Sequence, residues 1–127
     1  MSTIDIDFSH LTILIAEDEE INFMYLEEVL RRTNAKVIHA CDGQEAVNLF
    51  IANLTINIVL MDIKMPVMDG IQATKLIKAE RSNIPVIATT AYALGGDKEK
   101  FLSAGCDDYL SKPIKKDDLL AMIKKHS

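Results

Sequence analysis

The sequence lacks the features that would place it in or across a membrane. No apolar run approaches the ~20 residues that span a bilayer, and residues 1–10 carry acids rather than the basic start of a secretory signal. The only two cysteines, Cys41 and Cys106, have neither metal-binding spacing nor a secretory context. We therefore expect a cytoplasmic chain without membrane contact, in which both cysteines are reduced and buried or half-buried.

Positive charge is also scarce. There are 14 Lys and Arg residues against 19 Asp and Glu residues, which gives a net charge of −5 at pH 7. The longest basic cluster, Lys112 with Lys115 and Lys116, is soon followed by Asp117 and Asp118. Because contact with nucleic-acid phosphates needs clustered basic residues, this composition argues against nucleic acid as a partner of the domain.

What the sequence does contain is a regular alternation of strand and helix patterns. Short β-branched, apolar runs predict five strands, at 12–16, 37–40, 57–61, 85–90 and 108–110. Helical patterns follow them, at 20–32, from 42, from 69, at 94–104 and around 119–123. Alternation of this kind predicts parallel strands joined by right-handed crossovers. The fold class is α/β: an open, doubly wound, five-stranded parallel sheet with five helices, formed by residues 11–127 after a tail or linker of residues 1–10.

Polar residues stand at the predicted carboxyl ends of several strands. Glu17 and Asp18 follow the first strand, Asp62 the third, Thr90 ends the fourth and Lys112 follows the fifth. In an open parallel sheet these ends converge on a crevice where ligands bind. Three carboxylates brought together there would repel one another, and a hard divalent cation such as Mg²⁺ would relieve that repulsion.

This set of residues suits phosphoryl transfer. Asp62 would be the nucleophile and form an acyl phosphate, Lys112 would give a compact positive charge to a phosphoryl oxygen, and Thr90 would donate a hydroxyl hydrogen bond. Taken singly, each residue type is more often a helix cap, a strand-end hydroxyl or a solvated loop residue. The joint placement of all of them favours a phosphoryl-transfer site.

Four stretches match a known family: residues 13–19, 60–70, 85–91 and 105–113. On these stretches the chain resembles the response-regulator receiver domain of two-component systems, over residues 11–125. The resemblance implies a flavodoxin-like fold with strand order 2-1-3-4-5. It also implies a function: the domain accepts a phosphoryl group from a phosphohistidine and passes the event on as a change of shape.

The same resemblance implies roles for individual residues of the acidic site. Asp62 would be the phosphoacceptor, modified to 4-aspartylphosphate. Asp18 would be a direct ligand of Mg²⁺, Glu17 an outer ligand acting through water, and the backbone carbonyl of Lys64 the third protein ligand beside Asp62.

For signalling, the resemblance implies that Thr90 and Lys112 bind the phosphoryl group and that Tyr109 is an aromatic switch residue. Lys112–Pro113 would be a cis peptide. The residues two past Asp62 and two past Thr90 are Lys64 and Tyr92. Neither is suited to orient an attacking water, so slow loss of the phosphoryl group is expected.

Within the family the chain looks most like receivers fused to hybrid sensor histidine kinases. The cues are Asn22, the sequence Ala-Tyr-Ala at 91–93 and the acidic lead-in to residue 11. The expected partner is a histidine kinase or a histidine phosphotransfer domain, and the parent chain would be a kinase whose cytoplasmic part includes this domain. A free-standing single-domain regulator would look similar.

Three rival functions are weaker on the residues. A haloacid-dehalogenase-type aspartyl phosphatase wants a second acid two residues after the nucleophile, where this chain has Lys64. A flavin carrier would need a hydroxyl- and glycine-rich loop after the first strand, where this chain has acids. A receiver that only binds partners would not need Asp62, Asp18 and Lys112 together. As an isolated domain we expect no enzyme, only catalysis of its own phosphorylation and dephosphorylation.

Overall fold

The computed structural model of the protein describes residues 6–91 and 96–127. The five strands are β1 (Thr12–Ala16), β2 (Lys36–Ala40), β3 (Ile58–Asp62), β4 (Val86–Thr90) and β5 (Asp108–Ser111). The helices are α1 (Glu20–Arg31), α2 (Gly43–Ala52), α3 (Gly70–Glu80), α4 (Gly96–Ser103) and α5 (Lys116–His126). Across the described ranges, no helix is both long and apolar enough to cross a membrane.

The strands form a single parallel sheet in the order β2-β1-β3-β4-β5. This confirms the predicted fold class and the predicted strand order. Although β2 lies between them in sequence, β1 and β3 are hydrogen-bonded neighbours, with Ala16 opposite Met61. The carboxyl ends of these two strands therefore lie side by side.

Helices cover both faces of the sheet, which explains why its central strands are continuously apolar. One buried cluster joins α1 and α5 to the sheet through residues such as Ile15 and Leu60, and the other joins α2, α3 and α4 through residues such as Val59 and Met61. Every residue of β3 and β4 is buried. Successive apolar residues of these strands therefore pack against helices on the two opposite faces of the sheet.

Glycine is required where α3 begins, because the helix starts against the end of β3. A Cβ atom on Gly70 would lie 2.2 Å from the carbonyl oxygen of Asp62, and the Gly70 N–H donates to the Ile63 carbonyl at 2.8 Å. Asp69 caps the helix by accepting from the Gln72 N–H at 2.9 Å. The turn after Asp62 is therefore held tightly against the sheet.

The opposite, amino edge of the sheet is held by cations bonded to protein oxygens. Arg81 donates to the carbonyls of Phe50 at 2.6 Å and Asn53 at 3.2 Å, and its guanidinium carbon lies 3.9 Å from the centre of the Phe50 ring. Lys78 forms a 2.7 Å ion pair with Asp107. These contacts tie the ends of α2 and α3 to the loops that enter β3, β4 and β5.

Several expectations need correction or lie outside the described residues. Phe8 falls within the predicted tail of residues 1–10, but it is buried in the core and its backbone N–H donates to the Thr33 carbonyl at 2.7 Å. Cys106 is buried as expected, but Cys41 is exposed because it precedes α2 at the end of the edge strand β2. The predicted start of the fourth helix at residue 94 falls outside the described residues.

Candidate active site

Three carboxylates meet at the carboxyl edge of the sheet. Glu17 and Asp18 directly follow β1, and Asp62 is the last residue of β3. One carboxylate oxygen from each lies within 4.8 Å of the others. Glu17 and Asp62 are 2% and 5% exposed, whereas Asp18 is exposed. The adjacency of β1 and β3 therefore produces the cluster that the sequence predicted.

Lys112 reaches this cluster from the loop after β5. Its Nζ lies 3.2 Å from Glu17 Oε1 and 3.2 Å from Asp62 Oδ2. The backbone N–H of Lys112 donates to the Thr90 carbonyl at 2.8 Å. The Lys112–Pro113 peptide is cis, as the resemblance implied. Burial alone would lower the pKa of Lys112, but the charges of Asp62 and Glu17 outweigh it and the pKa lies above its usual value.

Burial and like charge make ionised Asp62 costly. Burial and, after it, the charge of Glu17 raise the pKa of Asp62, the charge of Lys112 offsets part of the rise, and the resulting pKa is about 7. One ammonium group thus compensates only part of the negative charge of three carboxylates. A hard divalent cation would complete the balance, and a set of carboxylate oxygens is the donor set that Mg²⁺ prefers. The residues present fit such an ion.

A small cavity of about 200 Å³ opens onto Asp62, and its lining includes Lys64, Thr90 and Lys112. Asp62 is the one member of the three-carboxylate cluster that lines it. The Lys64 N–H donates to Asp62 Oδ1 at 3.3 Å, and Thr90, the last residue of β4, is 5% exposed. A group bound in this cavity would touch the carboxylate, a hydroxyl and a cation together.

Tyr109 lies on β5, two strands away from Asp62. It is half-buried and opposite Ala88 of β4 in the sheet register. Its ring centre lies 5.8 Å from that of Phe101 in α4, at an angle of 49°. Tyr109 therefore packs between the strand that ends in Thr90 and a covering helix, and it is not part of the carboxylate cluster. Tyr92, the other aromatic singled out in the sequence, lies outside the described residues.

A second cavity, of about 400 Å³, lies beside the cluster and is mostly apolar. Its lining includes Ile21 and Tyr25 of α1 together with Pro113, while Glu17 and Lys112 also contribute. In α1 the exposed fractions are 82% for Ile21 and 45% for Tyr25. This helix buries its other face in the core, so one apolar face of α1 remains open next to the acidic site.

Sequence reasoning missed one residue near the site, His39 of β2. Its Nε2 lies 2.8 Å from the backbone carbonyl oxygen of Glu17, and its ring stacks on Phe23 with centres 3.6 Å apart. No sequence pattern signals this contact, because the partner is a main-chain atom 22 residues away.

Comparison with known proteins agrees with the fold. Residues 13–124 match the model of the response regulator receiver domain. The chain therefore belongs to the receiver-domain family of two-component systems.

Two curated relatives show how such domains occur. The chain is 39% identical over 110 residues to hybrid signal transduction histidine kinase I of Dictyostelium discoideum, a match that covers 80% of this chain and 6% of that protein. It is 34% identical over 117 residues to the polar-differentiation response regulator DivK of Brucella anthropi, covering 91% of this chain and 94% of that protein. The chain thus spans a small part of the kinase and nearly all of the regulator.

Solved structures give the same result. The receiver domain of a Pseudomonas aeruginosa sensor histidine kinase, with a magnesium ion coordinated in its active-site cleft, matches with a TM-score of 0.86 and 37% identity over 91% of this chain and 96% of that one. The receiver domain of a Saccharomyces cerevisiae response regulator, crystallised with a histidine phosphotransfer protein, matches with a TM-score of 0.80 and 34% identity over 91% and 86% of the two chains.

The raised pKa of Asp62 predicts that Asp62→Asn stabilises the metal-free domain. In EDTA at pH 8, the free energy of unfolding should rise by roughly 1–3 kcal/mol, because a buried charge is removed while some attraction to Lys112 is lost. A protonated Asp62 favours folding, and this contribution is lost as the pH rises from the ordinary pKa of 3.8 toward 7. The advantage of Asp62→Asn should therefore shrink as the pH falls toward 4.

Urea unfolding at both pH values measures this difference. Asp117→Asn, an exposed acid in the first turn of α5, is the control and should stay within about 0.5 kcal/mol of the parent at either pH. If Asp62→Asn is less stable than the parent at pH 8, the ionised Asp62 carboxylate does not destabilise the metal-free domain and the prediction is wrong.

Proposed function

We propose that this domain accepts a phosphoryl group on Asp62 from a phosphohistidine, in a reaction that depends on Mg²⁺, and then signals through Thr90 and Tyr109. The observation that carries the proposal is the single ammonium group of Lys112, 3.2 Å from both Glu17 and Asp62 inside a buried carboxylate cluster. Such a cation can stay beside Asp62 while charge builds up on a transferring phosphoryl group.

Asp62 is the best nucleophile of the three carboxylates. Glu17 and Asp62 both contact Lys112 and accept from a backbone N–H, but Glu17 does not line the small cavity beside Asp62. Asp62 instead faces the cavity that Thr90 and Lys112 also line. An Asp62 oxygen would attack phosphorus as the phosphorus–nitrogen bond of the phosphohistidine breaks, and the departing imidazole nitrogen would take a proton from water.

The remaining residues would bind and orient the phosphoryl group. Lys112 would hold one of its oxygens, and the Thr90 hydroxyl would donate to another. Asp18, Asp62 and the Lys64 carbonyl would hold Mg²⁺, with Glu17 acting through water. Bound there, the ion supplies positive charge that offsets the charge of the transferring group.

Labelling with a small phosphodonor tests the chemistry. With acetyl phosphate and Mg²⁺, the parent domain should gain the mass of one phosphoryl group, and EDTA or Asp62→Asn should abolish the gain. Lys112→Ala should slow labelling at least about tenfold, because it removes a charge that acts in the transition state. Asp117→Asn serves as the control for the loss of a distant carboxylate. Labelling that is indifferent to EDTA, or that persists in Asp62→Asn, would refute the proposal.

Signalling would follow from a shift between two packed arrangements. A phosphoryl oxygen would draw the Thr90 hydroxyl inward, and the Tyr109 ring, now packed against Phe101, would move into the space that Thr90 leaves. The face made by β4, α4 and β5 would then present a different surface to a partner.

Amide chemical shifts test this switch. Binding of beryllofluoride, a phosphoryl mimic, should shift resonances across residues 88–109 in the parent domain. In Thr90→Ala the shifts should stay within the loops that carry Asp18 and Asp62, because the hydroxyl that links the site to β4 is missing. Shifts confined to those loops in the parent would disprove the switch.

The partner that this domain would meet is a histidine on a helical bundle, either of a kinase or of a phosphotransfer domain. The open apolar face of α1, with Ile21 and Tyr25 beside the acidic site, supports a docking role. One similar receiver domain has been crystallised with a histidine phosphotransfer protein. We propose that α1 and the loops around Asp62 form the docking surface and that the domain works in the cytoplasm.

Truncation of the α1 face tests the docking surface. Ile21→Ala and Tyr25→Ala should each lower kcat/KM for transfer from a phosphorylated histidine phosphotransfer domain by about 5- to 10-fold, the cost of losing one contact residue. Labelling by acetyl phosphate should not change, because neither residue belongs to the carboxylate cluster. Leu54→Ala, 78% exposed after the end of α2, is the matched control. Transfer that matches the parent in both α1 variants would reject this surface.

Two parent architectures agree with the relatives. As part of a hybrid kinase, the domain would receive phosphoryl from its own chain, as the match to the Dictyostelium hybrid kinase suggests. As a free-standing regulator it would diffuse between partners, in line with the match to DivK. We favour the hybrid-kinase context because Asn22 and the residues after Thr90 resemble those of receivers in hybrid kinases. In either case the domain would catalyse only its own phosphorylation and dephosphorylation.

A further inference from the structure

His39 is not one of the three clustered carboxylates, but it forms a hydrogen bond with the backbone of one of them, Glu17. The residue lies on the edge strand β2, opposite Ile15 of β1, and its Nε2 is 2.8 Å from the backbone carbonyl oxygen of Glu17. A carbonyl can only accept, so Nε2 carries the proton and donates. The imidazole is stacked on the buried ring of Phe23 with an angle of 5° between the planes, which fixes the direction of the donor.

This hydrogen bond completes the fixation of Glu17. The Glu17 N–H donates to the Ala40 carbonyl at 3.0 Å, Oε1 accepts from Lys112 and Oε2 accepts from the Glu19 N–H. The remaining polar group of Glu17 is its backbone carbonyl, which accepts a hydrogen bond from His39. All four polar groups of this buried residue are therefore hydrogen-bonded, and two of the four partners are neighbouring residues of β2.

The carbonyl of Glu17 belongs to the peptide plane that leads into Asp18. Asp18 is exposed, so its position in the cluster does not come from burial of its own side chain. The orientation of the peptide plane before it sets where the Asp18 Cα and carboxylate begin. A donor that holds this plane therefore acts on Asp18 without touching it.

We propose that His39 is a positioning residue for the metal centre: by holding the Glu17 carbonyl it presets Asp18 for a divalent cation. This inference rests on the proposed Mg²⁺ site. Partners that orient a ligand from outside it commonly change metal affinity by about 10- to 100-fold when they are removed. His39 would act at the lower end of this range, because it works through one peptide group.

His39→Met and His39→Gln form a matched pair for the test. Both lose the aromatic stack on Phe23 and have similar length, but only Gln keeps an N–H donor at the end of the side chain. The Mg²⁺ dissociation constant, followed by the amide shift of Asp18, should rise about tenfold in His39→Met and stay within about twofold of the parent in His39→Gln. The rate of acetyl phosphate labelling at saturating Mg²⁺ should match the parent in both variants, since the ion compensates once bound.

The control separates positioning from a general loss of stability. Val37→Ala, a half-buried position on the same strand, should lower the unfolding midpoint without changing the Mg²⁺ dissociation constant. Where His39→Met does not fold, His39→Phe takes its place, because it keeps a ring on Phe23 and lacks the donor. Parent-like Mg²⁺ affinity in the variant without a donor, or equal weakening in His39→Gln, would overturn the inference. Absence of Mg²⁺ binding by the parent itself would instead refute the proposed function.

Discussion

The structure depends on one electrostatic constraint, the packing of like-charged carboxylates at the edge of an apolar sheet. Glu17 and Asp62 are nearly inaccessible to water, and Lys112 is the cation that contacts both. Buried charges gain little net free energy even when they are paired. The apolar strands on either side must therefore supply the stability that holds the carboxylates together, and the residual negative charge leaves the site ready for a cation.

The strand order determines which side chains meet at this edge of the sheet. The chain crosses from β1 to β2 and back to β3, so residues about 45 positions apart in sequence end at neighbouring points of one edge. Gly70 lets α3 begin against the Asp62 carbonyl, which keeps the end of the loop after Asp62 close to the sheet. The fifth strand then delivers Lys112 from the other side of β4. Each residue of the carboxylate cluster, like Lys112, ends a strand or follows one within two residues, and side chains next to regular structure are held more precisely than side chains on free loops.

The sequence predicted most of this arrangement because strand ends carry local signals. Continuous apolar runs marked β3 and β4, and the polar residues at the ends of these runs identified Asp62 and Thr90. Phe8 was misassigned because a single aromatic in an acidic lead-in gives no periodic pattern, and its burial depends on a contact with the end of α1. Cys41 was misplaced because the exposure of an edge strand is a tertiary property. The chemical roles of the site residues stay predictions, since chemistry is not visible in packing alone; they are Asp62, Lys112, Glu17, Asp18, Lys64, Thr90 and Tyr109.

The cation-rich amino edge has a consequence for how this domain can change over evolutionary time. Arg81 and Lys78 bond to helix-end and loop carbonyls at the amino edge, whereas Lys112 compensates only part of the charge at the carboxyl edge. Substitutions that tighten one edge need not disturb the other, because distant sites contribute nearly independently. The stability of the fold and the response of the acidic site can thus change independently within a single small domain.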